Sequence, residues 1–200
     1  MSLTQEMTNQ ERKIAFNKTL REFIQVLLFL SVLGGLGAYL IGTQNRTRQE
    51  IYCGAEYVKS KHRDLMYYNN GNYIAGGSLQ STDFAHNGTA SIQLSGSDPF
   101  GFNYTTQPLI GNENFYVSVW RFADGQHAES GKMVASGKCG FWKAGEEVIE
   151  KSDNGWEKIQ FSFSPPKKCK NKQIQIYCWN TASNPIYFDD LYIEIKRVYF

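Results

Sequence analysis

Phe115-Tyr116-Val117-Ser118-Val119-Trp120-Arg121 alternates residue by residue between apolar and mixed character. Successive side chains of a strand point to opposite faces, so Phe115, Val117 and Val119 share one side and Tyr116, Ser118 and Trp120 the other. A second stretch, Gln173–Trp179, sets Ile174, Ile176 and Cys178 against Tyr177 and Trp179. The aliphatic rows fill a core. The other face is expected to carry Tyr116, Trp120, Tyr177 and Trp179, a concentration of large rings on the outer side of a sheet.

The same period runs through the chain from Gly71 onward and predicts strands over 90–94, 114–122, 132–136, 156–164, 173–179 and 186–195. Asn70-Gly71, Asn87-Gly88, Asp124-Gly125 and Asn154-Gly155 punctuate them, at pairs where positive φ is cheap for Gly and tolerable for Asn or Asp. Several short strands between such turns, with no helical period among them, predict a mainly β, antiparallel sandwich. The lack of repeats makes it one domain, set at residues 53–200 behind a linker over 43–52.

Ahead of it, Phe23 to Gly42 is an uncharged run of twenty residues. A helix of that length, rising about 1.5 Å per residue, matches a hydrocarbon core of about 30 Å, and a helix satisfies its own backbone there. A cleavable signal peptide is the competing reading, but Ala38-Tyr39-Leu40 puts a bulky residue where cleavage wants a small one. The expectation is a single transmembrane helix over 23–42. Arg12, Lys13, Lys18 and Arg21 precede the run and only Arg46 and Arg48 closely follow it, so segment 1–22 is expected in the cytoplasm and the β domain outside, in the periplasm or on the cell surface. Gly34, Ala38 and Gly42 recur every fourth residue, with Ser31 and Gly35 as a second small pair. Such a stripe lets another helix approach closely and points to membrane-protein subunits as partners.

Residues 43–200 carry 17 Lys and Arg against 16 Asp and Glu, a balance that excludes nucleic acid as an expected partner. The cluster Lys167, Lys168, Lys170 and Lys172 after Pro165-Pro166 reads as a solvated loop. Cys53, Cys139, Cys169 and Cys178 are even in number, lie in the domain expected outside, and allow three disulfide connectivities, with Cys178 equally readable as a free buried thiol.

Several motifs in order carry a resemblance: Ala85-His86-Asn87-Gly88-Thr89-Ala90-Ser91-Ile92-Gln93-Leu94, then the 115–121 stretch, Gly155-Trp156, Ile176-Tyr177-Cys178-Trp179-Asn180, and Tyr187-Phe188-Asp189-Asp190-Leu191. Together they resemble the carbohydrate-binding modules of families 4, 9 and 22, over most of residues 51–197. The resemblance implies a jelly-roll sandwich of the galactose-binding-like type. It also implies a structural calcium joining the first strand to the last, held by Glu56 of Ala55-Glu56 and by Asp189 and Asp190. The alternative is that the two aspartates are polar strand-edge residues. Asp189 is the favoured ligand because it alternates in phase with Leu191, Ile193 and Ile195 and so is expected to point inward.

Sugar recognition needs flat apolar rings with polar groups beside them. Trp120, Tyr177 and Trp179 supply the rings; Tyr116, Arg121, Gln175 and Asn180 supply hydrogen bonds. The competing reading is that a covering loop such as Phe141-Trp142 buries the rings as a second core. Catalysis is not expected: His62, His86 and His127 are scattered and the hydrolase and phosphate-loop motifs are absent. The reading is a non-catalytic, single-span membrane protein whose sandwich serves as an accessory or assembly subunit of a larger membrane complex. The alternative is a membrane-tethered protein that holds a glycan through its aromatic face.

Overall fold

The computed structural model describes residues 24–32, 46–59, 62–67, 73–124 and 128–198. The chain separates into an N-terminal unit and a unit spanning Arg46–Tyr199. In the first, residues 24–32 are helical with exposed side chains, and the Ser31 hydroxyl donates to the Leu28 carbonyl at 2.8 Å. Among the described residues no helix is long and apolar enough to cross a membrane. The remainder of the predicted span, with Gly34, Gly35, Ala38 and Gly42, lies outside the described residues.

The second unit consists of two antiparallel seven-stranded sheets. The first contains β1 (Arg46–Cys53), β5 (Gln80–Ser81), β6 (Ser91–Leu94), β8 (Glu113–Phe122), β11 (Glu147–Lys151), β12 (Glu157–Phe163) and β14 (Ile186–Val198). Its order is β11-β12-β8-β14-β6-β5, with β1 also paired to β14. The second contains β2 (Val58–Lys59), β3 (His62–Tyr67), β4 (Tyr73–Ala75), β7 (Phe100–Thr105), β9 (Gly131–Gly137), β10 (Phe141–Gly145) and β13 (Ile174–Asn180), in the order β10-β9-β13-β7-β4-β3-β2.

The six predicted strands are all present. Their inward rows do what the alternation requires: Phe115, Val117, Val119, Ile193 and Ile195 from the first sheet are buried in one core with Met133, Ala135, Ile174, Ile176 and Cys178 from the second. The linker expectation is corrected. Residues 46–52 are strand, paired with β14 from Arg46↔Val198 to Cys53↔Leu191. The charges of Arg46, Arg48 and Glu50 disguise an alternating strand whose Ile51 and Cys53 are buried in the core.

β14 has β8 along one flank. On its other flank β6 pairs with Ile186–Phe188 and β1 pairs from Leu191 on. Between these two neighbours lie Asp189 and Asp190, at a register irregularity where Asp190 adopts φ 52°. A left-handed non-glycine residue costs about 1–2 kcal/mol and persists only where its surroundings hold it. One disulfide, Cys139–Cys169, closes a sequence separation of 30, whereas Cys53 and Cys178 are buried thiols outside it.

Candidate functional site

The four rings do not share one face. Tyr116 and Trp120 stand on β8, in the first sheet, and Tyr177 and Trp179 on β13, in the second, so their outer faces are opposite sides of the sandwich. Trp120 is only 7 % exposed and forms a small second core with Trp156 and Tyr187, flanked by Phe84 and Phe122. His86 stacks on it with ring centroids 3.9 Å apart. The cover is therefore the segment around Phe84 and His86, not Phe141-Trp142; Trp142 is 61 % exposed. Tyr116 donates its hydroxyl to Gln160 on the adjacent strand.

Two of the expected sugar-bonding residues point elsewhere. Arg121 continues the inward row of Val119, is buried, and donates to the Gly131 carbonyl at 2.6 Å and to Glu157 at 2.9 Å. Asn180 is also buried. Its Nδ2 donates to the Leu94 and Asn184 carbonyls while its Oδ1 accepts from the Ala182 N–H, which fixes the turn before β14. Alternation from Val119 and Cys178 places both residues in the inward rows, and their polar side chains mislead.

Glu56, Asp189 and Asp190 meet at the junction of β1, β6 and β14, but around the segment 86–90 rather than around a gap. Glu56 accepts from the Thr89 N–H, the Thr89 hydroxyl and the Ala90 N–H at 2.9–3.0 Å. Asp189 accepts from the His86 and Asn87 N–H groups at 2.9 and 3.1 Å, and its other oxygen from the Asp190 N–H. Asp190 lies 2.7 Å from His86 Nδ1 and accepts the Tyr52 hydroxyl. Burial pushes the Asp189 carboxyl up to about 7, opposed by its backbone donors and reinforced by the Asp190 charge. A calcium ion needs about 6–8 oxygen ligands turned toward it. Among the described residues no three His, Cys, Asp or Glu side chains converge in that way. These carboxylates face N–H donors that a cation would have to displace, so the donor set does not fit calcium.

The open site lies on the outer face of the second sheet. Three adjoining depressions cross it, of about 530, 260 and 320 Å³. The first two share Ser136 and Gln175, and the last two share Phe100 and Asn103, so they form one groove from the β9–β13 end across β7 to β4. Phe100, half exposed, sits against Tyr177 at 5.7 Å and Trp179 at 6.2 Å between centroids. The floor bends there because β7 bulges: between the pairs Ile176↔Tyr104 and Cys178↔Gly101 an extra residue intrudes, and Phe102 takes φ 49° with its ring in the core. Bulges re-aim side chains. This one presents Asn103 to the groove, and the Asn103 side-chain oxygen, buried, has no hydrogen-bond partner among the described residues. Of the residues expected at a sugar site, Tyr177 and Gln175 line this groove and Trp179 stacks on Phe100 beside it; Phe100 and Asn103 were not expected, because no residue pattern announces a bulge.

No family model matches the chain, and no curated protein matches it. Among solved structures it is similar to the CBM22-1 xylan-binding domain of Paenibacillus barcinonensis Xyn10C, at 13% identity over 74% of this chain and 94% of that one, with a TM-score of 0.44. The C-terminal family 22 carbohydrate-binding module of Clostridium thermocellum Xyn10B shares 13% identity over 74% and 92%, TM-score 0.41. A cyclase from Fischerella sp. TAU shares 12% over 78% and 90%, TM-score 0.43.

Proposed function

We propose that this chain is a non-catalytic glycan-binding protein that holds a polysaccharide in the groove across its second sheet. The observation that carries this reading is the pair of rings Phe100 and Tyr177 that line the groove, backed by Trp179 stacked on Phe100 and flanked by the amides of Asn103 and Gln175. Pyranose C–H faces pack on such rings, while amides bond the hydroxyls. A donor reaching Asn103 would also relieve an unpaired acceptor, worth about 1–3 kcal/mol.

The apolar run 23–42 and the basic residues before it support a place beside a membrane, and the Cys139–Cys169 disulfide is at home on its oxidising side. The accessory-subunit reading rests on the small-residue stripe of that run alone. Retention of the full-length protein on immobilised polysaccharides, compared with Trp179→Ala and Tyr177→Ala, tests the proposal. Loss of retention at an unchanged melting temperature is expected; absence of retention of the unaltered protein on every polysaccharide of a broad panel would refute it.

A further inference from the structure

The groove is electrically polarised. Where lysine side chains are described away from its β9–β13 end, each has a carboxylate partner: Lys132 with Glu146, Lys151 with Glu157, Lys158 with Glu150 and Lys196 with Glu194. Around the disulfide the pattern reverses. Lys138, Lys143, Lys167, Lys168, Lys170 and Lys172 have no carboxylate within ion-pair distance among the described residues. Lys143 and Lys168 reach the carbonyls of Ser162 and Gly140, and the nearby Glu113 is turned to the Ile110 and Gly111 N–H groups. Two of the six, Lys138 and Lys172, line the largest depression of the groove, among Asn171, Gln173 and Gln175.

Among the described residues the far end is opposite in sign: Asp64 and Asp98 line it, with Gly76 N–H and the Ser78 and Ser97 hydroxyls as donors to their carboxylates. A chain acidic at every residue is repelled there, and a neutral chain leaves the lysines unused. One cationic pair amid amides matches a ring with one carboxylate and several hydroxyls.

We infer that the groove takes a polysaccharide carrying uronic acid carboxylates at intervals, with Lys138 and Lys172 binding one of them. This rests on the glycan-binding reading and names its ligand class. The test is affinity electrophoresis of the full-length protein against a panel of spaced-acid polysaccharides, each beside its carboxyl-reduced counterpart. The acidic member of a retained pair is expected to hold about tenfold more tightly, the worth of a charge-assisted hydrogen bond. That preference is expected to vanish in the Lys138→Ala/Lys172→Ala protein, to return in the Lys138→Arg/Lys172→Arg protein, and to fade in about 1 M salt, where the screening length is about 3 Å. Equal retention of both members, or a preference that survives Lys138→Ala/Lys172→Ala, overturns the carboxylate assignment and leaves glycan binding standing. No retention of any member overturns both. Lysine-dependent binding to phosphatidylserine vesicles without preference within any pair assigns the lysines to a lipid surface and overturns the inference.

Discussion

The Arg121 guanidinium lies 2.9 Å from the Glu157 carboxylate on the neighbouring strand, with the arginine side chain 2 % exposed. Removing the guanidinium leaves the Gly131 carbonyl without its donor and Glu157 with Lys151 alone, at a cost of about 1–3 kcal/mol. Arg121→Ala is expected to lower unfolding free energy by that order in a denaturant titration. A change below about 1 kcal/mol would mean that the pair is solvated.

Glu157 also contacts Lys151 at 2.6 Å, and although burial pushes its carboxyl up, Lys151 and Arg121 outweigh burial and hold it below the usual range. A carboxyl held low contributes stability above its unfolded value and loses it as pH falls through the folded one. Glu157→Gln should therefore cost stability at neutral pH and flatten the acid limb of a stability-against-pH curve.

Asp189 acts in the opposite sense. With the folded carboxyl at about 7, the folded protein holds more protons than the unfolded one between about 4 and 7, so this group's contribution falls as pH rises through that window. Subtracting the Asp189→Asn curve from the parent curve should leave a stability difference that declines from pH 4 to 7 and is level above. A difference curve that is level from pH 4 to 7 and rises only below about 4 would show the three N–H donors outweighing burial.

Cys139–Cys169 closes a loop of 30 residues, for which chain entropy gives about 3–4 kcal/mol of stabilisation. Cys139→Ser/Cys169→Ser should lower the melting temperature accordingly. Thiol titration of the parent should find no reactive group in the native state and two after unfolding, Cys53 and Cys178, since burial raises both thiols, Cys53 to about 11.

Trp120→Ala and Trp179→Ala separate folding from binding. The first empties the small core of Trp156 and Tyr187 and should cost about 3–5 kcal/mol. The second removes a partly buried ring that backs Phe100 beside the groove and should spare the melting curve while reducing polysaccharide retention. The reverse pattern would move the site to the first sheet.

The strands were legible because burial writes a period of two, and 115–121 and 173–179 write it without interruption. Faces were legible within a strand and not between strands: nothing local says that β8 and β13 belong to different sheets, so rings on opposite sides of the sandwich read as one patch. β1 was missed because its outward charges dominate its composition. The motif residues Glu56, Asp189 and Asp190 each bond within the segment 86–90 or beside it, rather than converging on an ion. What they hold, the backbone of 86–90, depends on donors from a loop whose path is set by tertiary contacts.

The pairing of β1 with β14 also decides how the domain bears load. β1 runs antiparallel to β14 over eight residue pairs, with Arg46 beside Val198. A pull on the chain ahead of Arg46 that acts along β1, with the rest of the domain held, draws β1 lengthwise along β14, so all of those pairs strain together. A pull between the two chain ends parts them one at a time, starting at Arg46 and Val198. Optical-trap rupture through Arg46 and a handle on β13 should need more force than rupture through both ends. The strand that enters the domain thus works as a shear joint under a pull along its length and as a zipper under a pull between the two ends.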